Sequence, residues 1–287
     1  MKKIAGIGLI LVGVLVLIAS LPSFFSFSKG TIGNEFAKEV NSINHIKLTS
    51  VSADWDIQTY DGEELIVQLE RKNDRVKLHT SEQGSQLNIE VKGQRFPTFP
   101  FHFGKKQSVA TVLVPRTYKK ELDVKAVSGN IDLIEWHSPS IVKAKTISGD
   151  IWAEDVSARN ALMETTSGDI EITHLVAEQT ELKSTSGDIL IDTMTGEITC
   201  HNVSGDIRIG FEQENQTTSL KTISGDIDVS VPTGNADVQV KTLSGDIALE
   251  FELKDQSLQS RSISGKIGEG VYPFFVSTTS GDVYIRK

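Results

Sequence analysis

The 287-residue chain holds a single cysteine, Cys200, so a disulfide scaffold is excluded. Basic residues are scarce too: 29 Lys and Arg stand against 38 Asp and Glu, a net charge of −9. That sign argues against nucleic-acid partners, whose backbone needs a cationic surface. The six histidines, His45, His79, His102, His137, His174 and His201, show no H-E-x-x-H spacing, and no strand-borne nucleophile elbow accompanies them. Neither a phosphate-binding glycine loop nor a dinucleotide fingerprint occurs. The sequence therefore offers no catalytic residue, no metal set and no cofactor motif, and reads as a non-enzyme.

What is present begins with Lys2 and Lys3 ahead of a weakly polar or apolar run from Ile4 to Leu21. As a helix these 18 residues would span about 27 Å, close to the thickness of a hydrocarbon core. A cleaved signal peptide is the alternative, but the run ends Leu17-Ile18-Ala19-Ser20 without the usual small-x-small site. No cysteine follows for lipoprotein attachment. The expectation is one uncleaved transmembrane helix, with the amino terminus held in the cytoplasm by its lysines and the body outside the cytoplasmic membrane.

From residue 128 onward one tetrapeptide recurs: Ser128-Gly-Asn-Ile, then Ser-Gly-Asp-Ile at Ser148, Ser167, Ser186, Ser204, Ser224 and Ser244, Ser264-Gly-Lys-Ile, and Ser280-Gly-Asp-Val. The serines are 20, 19, 19, 18, 20, 20, 20 and 16 residues apart, a period that signals stacked coils. Three positions after each serine stands Ile or Val. Two further on come Leu133, Ala153, Ile172, Ile191, Ile209, Val229, Leu249 and Ile285, with Glu269 the exception. This alternation is strand chemistry, both rows facing inward. Four positions before the serine a third row is mostly apolar: Val124, Ala144, Met163, Leu182, Cys200, Leu220, Val240, Ser260 and Val276. Cys200 in that row reads as a buried, inert thiol. Two positions before the serine, Thr146, Thr165, Ser184, Thr222, Thr242, Ser262 and Thr278 suggest a hydroxyl ladder between coils.

The expected fold is all-β: a single-stranded parallel β-solenoid, β-helix-like, with one sheet rung per coil at about 4.8 Å and nine coils making a rod near 40 Å long. The division is a cytoplasmic stub over 1–3, a transmembrane anchor over 4–21, a tether over 22–42, an N-terminal β cap or degenerate coils over 43–120, and β-solenoid repeats over 121–287. Asp61-Gly62 and Glu82-Gln83-Gly84 read as turns within the cap, and Phe274 and Phe275 as a plug beneath the last strand.

The Ser-Gly-Asp-Ile array, the amino-terminal anchor and the acidic β-rich body resemble the bacterial family labelled putative adhesin, and within it the membrane-anchored type encoded with the Lia envelope-stress operon of bacilli. The resemblance implies an extracytoplasmic β-helix-like fold and an association with envelope stress. It supplies no catalytic residue.

Two charged rows flank the serine. Asp150, Asp169, Asp188, Asp206, Asp226, Asp246 and Asp282 follow the Ser-Gly pair, interrupted by Asn130 and Lys266, and read as Asx-turn residues. A calcium role would need six to eight oxygens per ion, which the 20-residue period does not supply. Three positions before the serine, Lys125, Lys145, Lys183, Lys221, Lys241 and Arg261 form a basic row, broken by Glu164, His201 and Ser277, that reads as a solvated face, with charge compensation of the aspartates or local attraction of anionic wall polymers as the alternatives. The segment from Gln94 to Gln107 gathers Phe96, Phe99, Phe101 and Phe103 with two prolines, either a core cap or a contact for membrane or partner. The functional expectation is a binding or scaffold surface at the cell envelope, with an envelope polymer or a membrane protein as partner. The alternatives are a polysaccharide-active enzyme on the same scaffold, which rests on fold analogy, and an accessory of a membrane signalling protein.

Overall fold

The computed structural model describes residues 31–70, 76–93, 108–138 and 140–287, so the expected anchor over 4–21 lies outside them. They form 24 strands and no helix, and none of them makes a helix long and apolar enough to cross a membrane.

The repeats fold as the inward-facing rows require. Ile131, Ile151, Ile170, Ile189 and Ile207 pair in parallel register, and all are fully buried. The row before the serine does the same on the other side of the corner, through Val124, Ala144, Met163, Leu182, Cys200 and Leu220. Each corner thus joins two strand segments, where one rung was expected, because the Ser-Gly pair separates two apolar stretches; in the middle of the stack Ile170–Ser186 and Ile189–Ser204 each run as one strand from corner to corner. Val156, Leu175, Met194 and Phe211 close the core in a further aligned, buried row. At about 1.5–3 kcal/mol per fully buried large aliphatic side chain, these columns carry most of the fold's stabilisation.

Glycine is needed after the serine for a reason other than turn flexibility. A Cβ at any of the eight corner glycines would lie 2.0–2.2 Å from the carbonyl oxygen of the corner beneath it. The corners stack so closely that no side chain fits between them.

Coils succeed one another in sequence order only from Ser128 to Ser224. The strand Ile227–Ser230 then pairs with Val283–Arg286, and this in turn with Ile247–Leu249. The last repeat is inserted between the sixth and the seventh. On the other side of the corner Tyr272–Ser280 lies likewise between Thr218–Lys221 and Ala236–Ser244. The Ser264 repeat forms no coil at all, a correction to the nine stacked coils: Ser262–Ile267 runs antiparallel to Ala236–Ser244, and Lys254–Gln259 runs antiparallel to it in turn. Lys266, Glu269 and Ser260 fill positions that a coil needs for Asp and for two core residues. Phe274 is buried in a core row between Thr218 and Val238, while Phe275 lies half-buried on the outer side, so only one of the two plugs the core.

The leading region is built in the same way. His45–Ser50 and Ala53–Tyr60 form a regular coil beneath the Ser128 coil, its corner being Ser52-Ala53-Asp54. Gln86–Gly93 and Ser108–Pro115 make the outermost coil. Antiparallel strands Val76–Gln83 and Glu64–Glu70 cover its open edges, followed by Thr31–Gly33 and Glu35–Glu39. The stretch read as a tether over 22–42 therefore contributes two strands to the folded body. Antiparallel strands at both ends relieve the open sheet edges of a parallel stack.

Candidate binding surface

The corner aspartates form a continuous ladder. Each Oδ1 accepts the backbone N–H of the equivalent residue in the adjoining coil, so the bonds run between coils and not within an Asx turn. The order is Asp54 to Asn130 (2.9 Å), Asn130 to Asp150 (3.0 Å), Asp150 to Asp169 (3.0 Å), Asp169 to Asp188 (2.8 Å), Asp188 to Asp206 (2.8 Å), Asp206 to Asp226 (2.8 Å), Asp226 to Asp282 (2.7 Å) and Asp282 to Asp246 (2.7 Å). Carboxylates one rung apart repel by about 3 kcal/mol at an effective dielectric of 20, and by under 1 kcal/mol in water. A charge-assisted hydrogen bond of about 1.5–3 kcal/mol per rung offsets this.

Beside it runs the expected hydroxyl row, which bonds to glycine carbonyls. Thr146 donates to Gly129 O (3.1 Å), Thr165 to Gly149 O (3.1 Å), Thr278 to Gly225 O (3.1 Å) and Thr242 to Gly281 O (3.0 Å). Asn202 joins this row through its Nδ2 to Gly187 O at 2.9 Å. Thr222 donates to Gly205 O at 3.4 Å, whereas the buried Oγ of Ser184 has no partner and Ala126 brings no hydroxyl to the row.

Three members of the basic row pair with carboxylates other than the corner aspartates. Lys125 pairs with Asp123 (2.7 Å), Lys145 with Glu164 (2.5 Å) and Lys183 with Glu181, all carboxylates of the same sheet face. The Lys183 bond holds the Glu181 carboxyl below its ordinary range.

Two open grooves lie on the outer faces. One, of about 430 Å³, is lined by polar side chains of four coils, among them Asn160, Gln179, Glu181, Glu197 and Thr217, with Asn160 Nδ2 donating to Gln179 Oε1 at 3.0 Å. The other, of about 350 Å³, adjoins the aspartate ladder and is lined by Asp206, Ile207, Arg208, Asp226, Asp228, Tyr284 and Arg286. Arg286 grips Asp228 with two nitrogens, Nε lying 2.9 Å from Oδ1, and Arg208 Nε stands 4.0 Å from Asp228 Oδ2. The Tyr284 hydroxyl donates to Asp282 Oδ2 at 3.1 Å, and this bond is the first cause of a raised phenol pKa. Only the insertion of the last repeat beside Ile227–Ser230 brings Tyr284 and Arg286 to this groove.

Near the other end of the same outer face, burial and then the neighbouring carboxylates Asp56, Asp54 and Asp150 push the Asp132 carboxyl up to about 6. A carboxyl raised in the folded state contributes stability below its unfolded pKa of about 4, and that contribution is lost as pH rises through about 6. Asp132→Asn is therefore expected to raise unfolding free energy at pH 7.5 by about 1–2 kcal/mol, discounted for partial exposure, and to leave it unchanged at pH 4. Urea titrations at the two pH values measure the difference.

At the far corner of the coils His174 Nδ1 lies 2.9 Å from Asp155 Oδ1, and His137 Nε2 lies 3.4 Å from Oδ2. The hydrogen bond from His174 is the first cause of a lowered Asp155 pKa. Spacing along the chain gave no sign of this contact, since the three residues come from three coils. Among the described residues no group of three or more His, Cys, Asp or Glu side chains has the geometry to hold a metal ion.

Phe96, Phe99, Phe101 and Phe103 lie outside the described residues, between the strands Gln86–Gly93 and Ser108–Pro115 of the outermost coil. Cys200 is fully buried, and burial raises its thiol pKa far above the ordinary value. A thiol reagent is expected to leave Cys200 unmodified in the native protein and to label it fully in denaturant, as mass spectrometry would read.

The chain that builds this stack of corners matches the Toastrack DUF4097 family model over residues 43–286. The chain belongs to this family. The Toastrack match thus takes in every coil, from the degenerate one at Ser52 to the inserted one at Ser280. No curated protein matches the chain. Solved structures similar to it include one titled a putative adhesin from Bacteroides fragilis NCTC 9343, at 13% identity and a TM-score of 0.46, covering 90% of this chain and 98% of that one. Another, titled a putative adhesin from Parabacteroides distasonis ATCC 8503, is 14% identical with a TM-score of 0.40, covering 89% and 98%. A third, titled a putative cell adhesion protein from Clostridium sporogenes ATCC 15579, is 10% identical with a TM-score of 0.32, covering 90% and 99%.

Proposed function

We propose that this Toastrack protein is a non-enzymatic binding or scaffold surface of the bacterial cell envelope, anchored in the cytoplasmic membrane by Ile4 to Leu21 with its rod outside. The observation that supports a binding role is the registered outer face, where side chains from successive coils line open grooves of about 350 and 430 Å³. An extended surface of this kind suits a polymer or an elongated partner better than a single small molecule. The lysines at positions 2 and 3 support the orientation, and the resemblance to membrane-anchored proteins of the Lia operon supports a link to envelope stress.

The test is retention. Full-length protein in detergent micelles is immobilised and exposed to purified wall polymers and to solubilised membranes of the source bacterium. Capture of a defined envelope component supports the reading. Capture of none, together with a body that resists protease added to intact protoplasts, overturns both the binding role and the placement outside the membrane.

A further inference from the structure

The outer row four positions after the serine runs in register as Asp132, Trp152, Glu171, Leu190, Arg208, Asp228, Tyr284 and Ala248. Five rungs separate the two aromatic residues, about 24 Å at the usual strand spacing. We propose that this row is a track for an extended glycan of neutral or amino sugars, seated at its Tyr284 end in the groove beside the aspartate ladder. The inference rests on the binding role proposed above and names the class of polymer.

Three features of the groove select that class. Tyr284 is 38% exposed, and its hydroxyl is held by Asp282, so an aromatic ring stands fixed at the surface, where the apolar face of a sugar ring can stack. The ladder occupies Oδ1 of Asp206 and Asp226, leaving Oδ2 of each to accept sugar hydroxyls, while the Arg208 side chain, 61% exposed, has donors to offer. The lining holds three carboxylates, Asp206, Asp226 and Asp228, against two guanidinium groups, with Asp282 adjoining. This net negative charge repels a phosphate-bearing or uronate polymer and accepts an ammonium group. The volume of about 350 Å³ falls at the lower end of the range for small-ligand sites, as one sugar unit of a longer chain requires.

The experiment titrates the full-length protein in micelles with three probes: a β-linked N-acetylglucosamine tetramer, its de-acetylated cationic form, and poly(glycerol phosphate). Tryptophan fluorescence and calorimetry are the readouts. Saturable binding of one or both tetramers is expected, with no binding of the polyanion. Tyr284→Ala and Arg208→Ala should each weaken binding at least tenfold, and Tyr284→Phe, which keeps the ring, should stay within threefold of the native protein. Thermal unfolding of each variant confirms that these exposed positions leave the fold intact. Preference for the polyanion, equal binding by Tyr284→Ala, or no binding of either tetramer would overturn the inference. If a wall polymer is nonetheless captured in the retention test, the binding role stands and the glycan track alone fails.

Discussion

Gly187→Ala is expected to lower the unfolding free energy by about 3–5 kcal/mol, a loss of about 10 °C or more in thermal midpoint for a body of this size. The added Cβ would sit 2.0 Å from Gly168 O, inside the contact distance of any carbon and oxygen, and the backbone at φ +144° is one that alanine rarely adopts. Neither coil can move aside, because both are pinned by the buried isoleucine columns at Ile170 and Ile189. Gly84 is the control. It is also left-handed, at φ +61°, but its Cβ would meet nothing within 4 Å, so Gly84→Ala should cost only about 1–2 kcal/mol. Circular dichroism melts of the two variants separate close stacking from backbone preference.

Asp188 gives the second large effect. Asp188→Ala removes the acceptor for the Asp206 N–H, at a cost of about 1–3 kcal/mol. Asp188→Asn keeps an Oδ1 in the same place and removes one charge from a row of like charges, as Asn130 already does between Asp54 and Asp150. It is expected to equal or slightly exceed the native protein in stability at low salt. The margin over native should shrink as salt is raised, since exposed repulsion is screened. Urea unfolding at two salt concentrations checks both statements; an Asn variant as weak as the Ala variant would mean that charge, and not the acceptor, matters at this corner.

Much of the architecture was legible because the repeat carries its own register. Isoleucine three places after the serine and a core residue four places before it define two columns that any coil must match, and Cys200 could be placed among leucines on that ground alone. The same uniformity hid the order of the coils. Every Ser-Gly-Asp corner offers its neighbour the same carbonyl and carboxylate, so local pattern cannot say whether the Ser224 coil is followed by Ser244 or Ser280. Lys266 and Glu269 were the visible signs that the Ser264 repeat does not stack, since one removes the ladder acceptor and the other places a charge in a core column. The coil at Ser52 lies within the region read as a cap or degenerate coils, but its corner could not be located because Ala53 replaces the glycine. Asn202 escaped notice because an amide does the work of a hydroxyl. The groove was beyond the reach of spacing altogether, since Asp228 and Tyr284 are 56 residues apart and become neighbours only through the insertion.

The order of the coils is measured most directly by paired cysteines on the exposed corner row. Ser280 N donates to Ile223 O at 2.9 Å, so residues 223 and 279 stand on adjoining rungs, about 4.8 Å apart and within disulfide range. Residue 243 is one rung further, about 10 Å from residue 223 and beyond that range. Under mild oxidation Ile223→Cys with Thr279→Cys should form an internal disulfide, and Ile223→Cys with Leu243→Cys should not. A disulfide in the second pair and none in the first would show that the coils stack in sequence order and that the inserted strand, with the groove it builds, is absent.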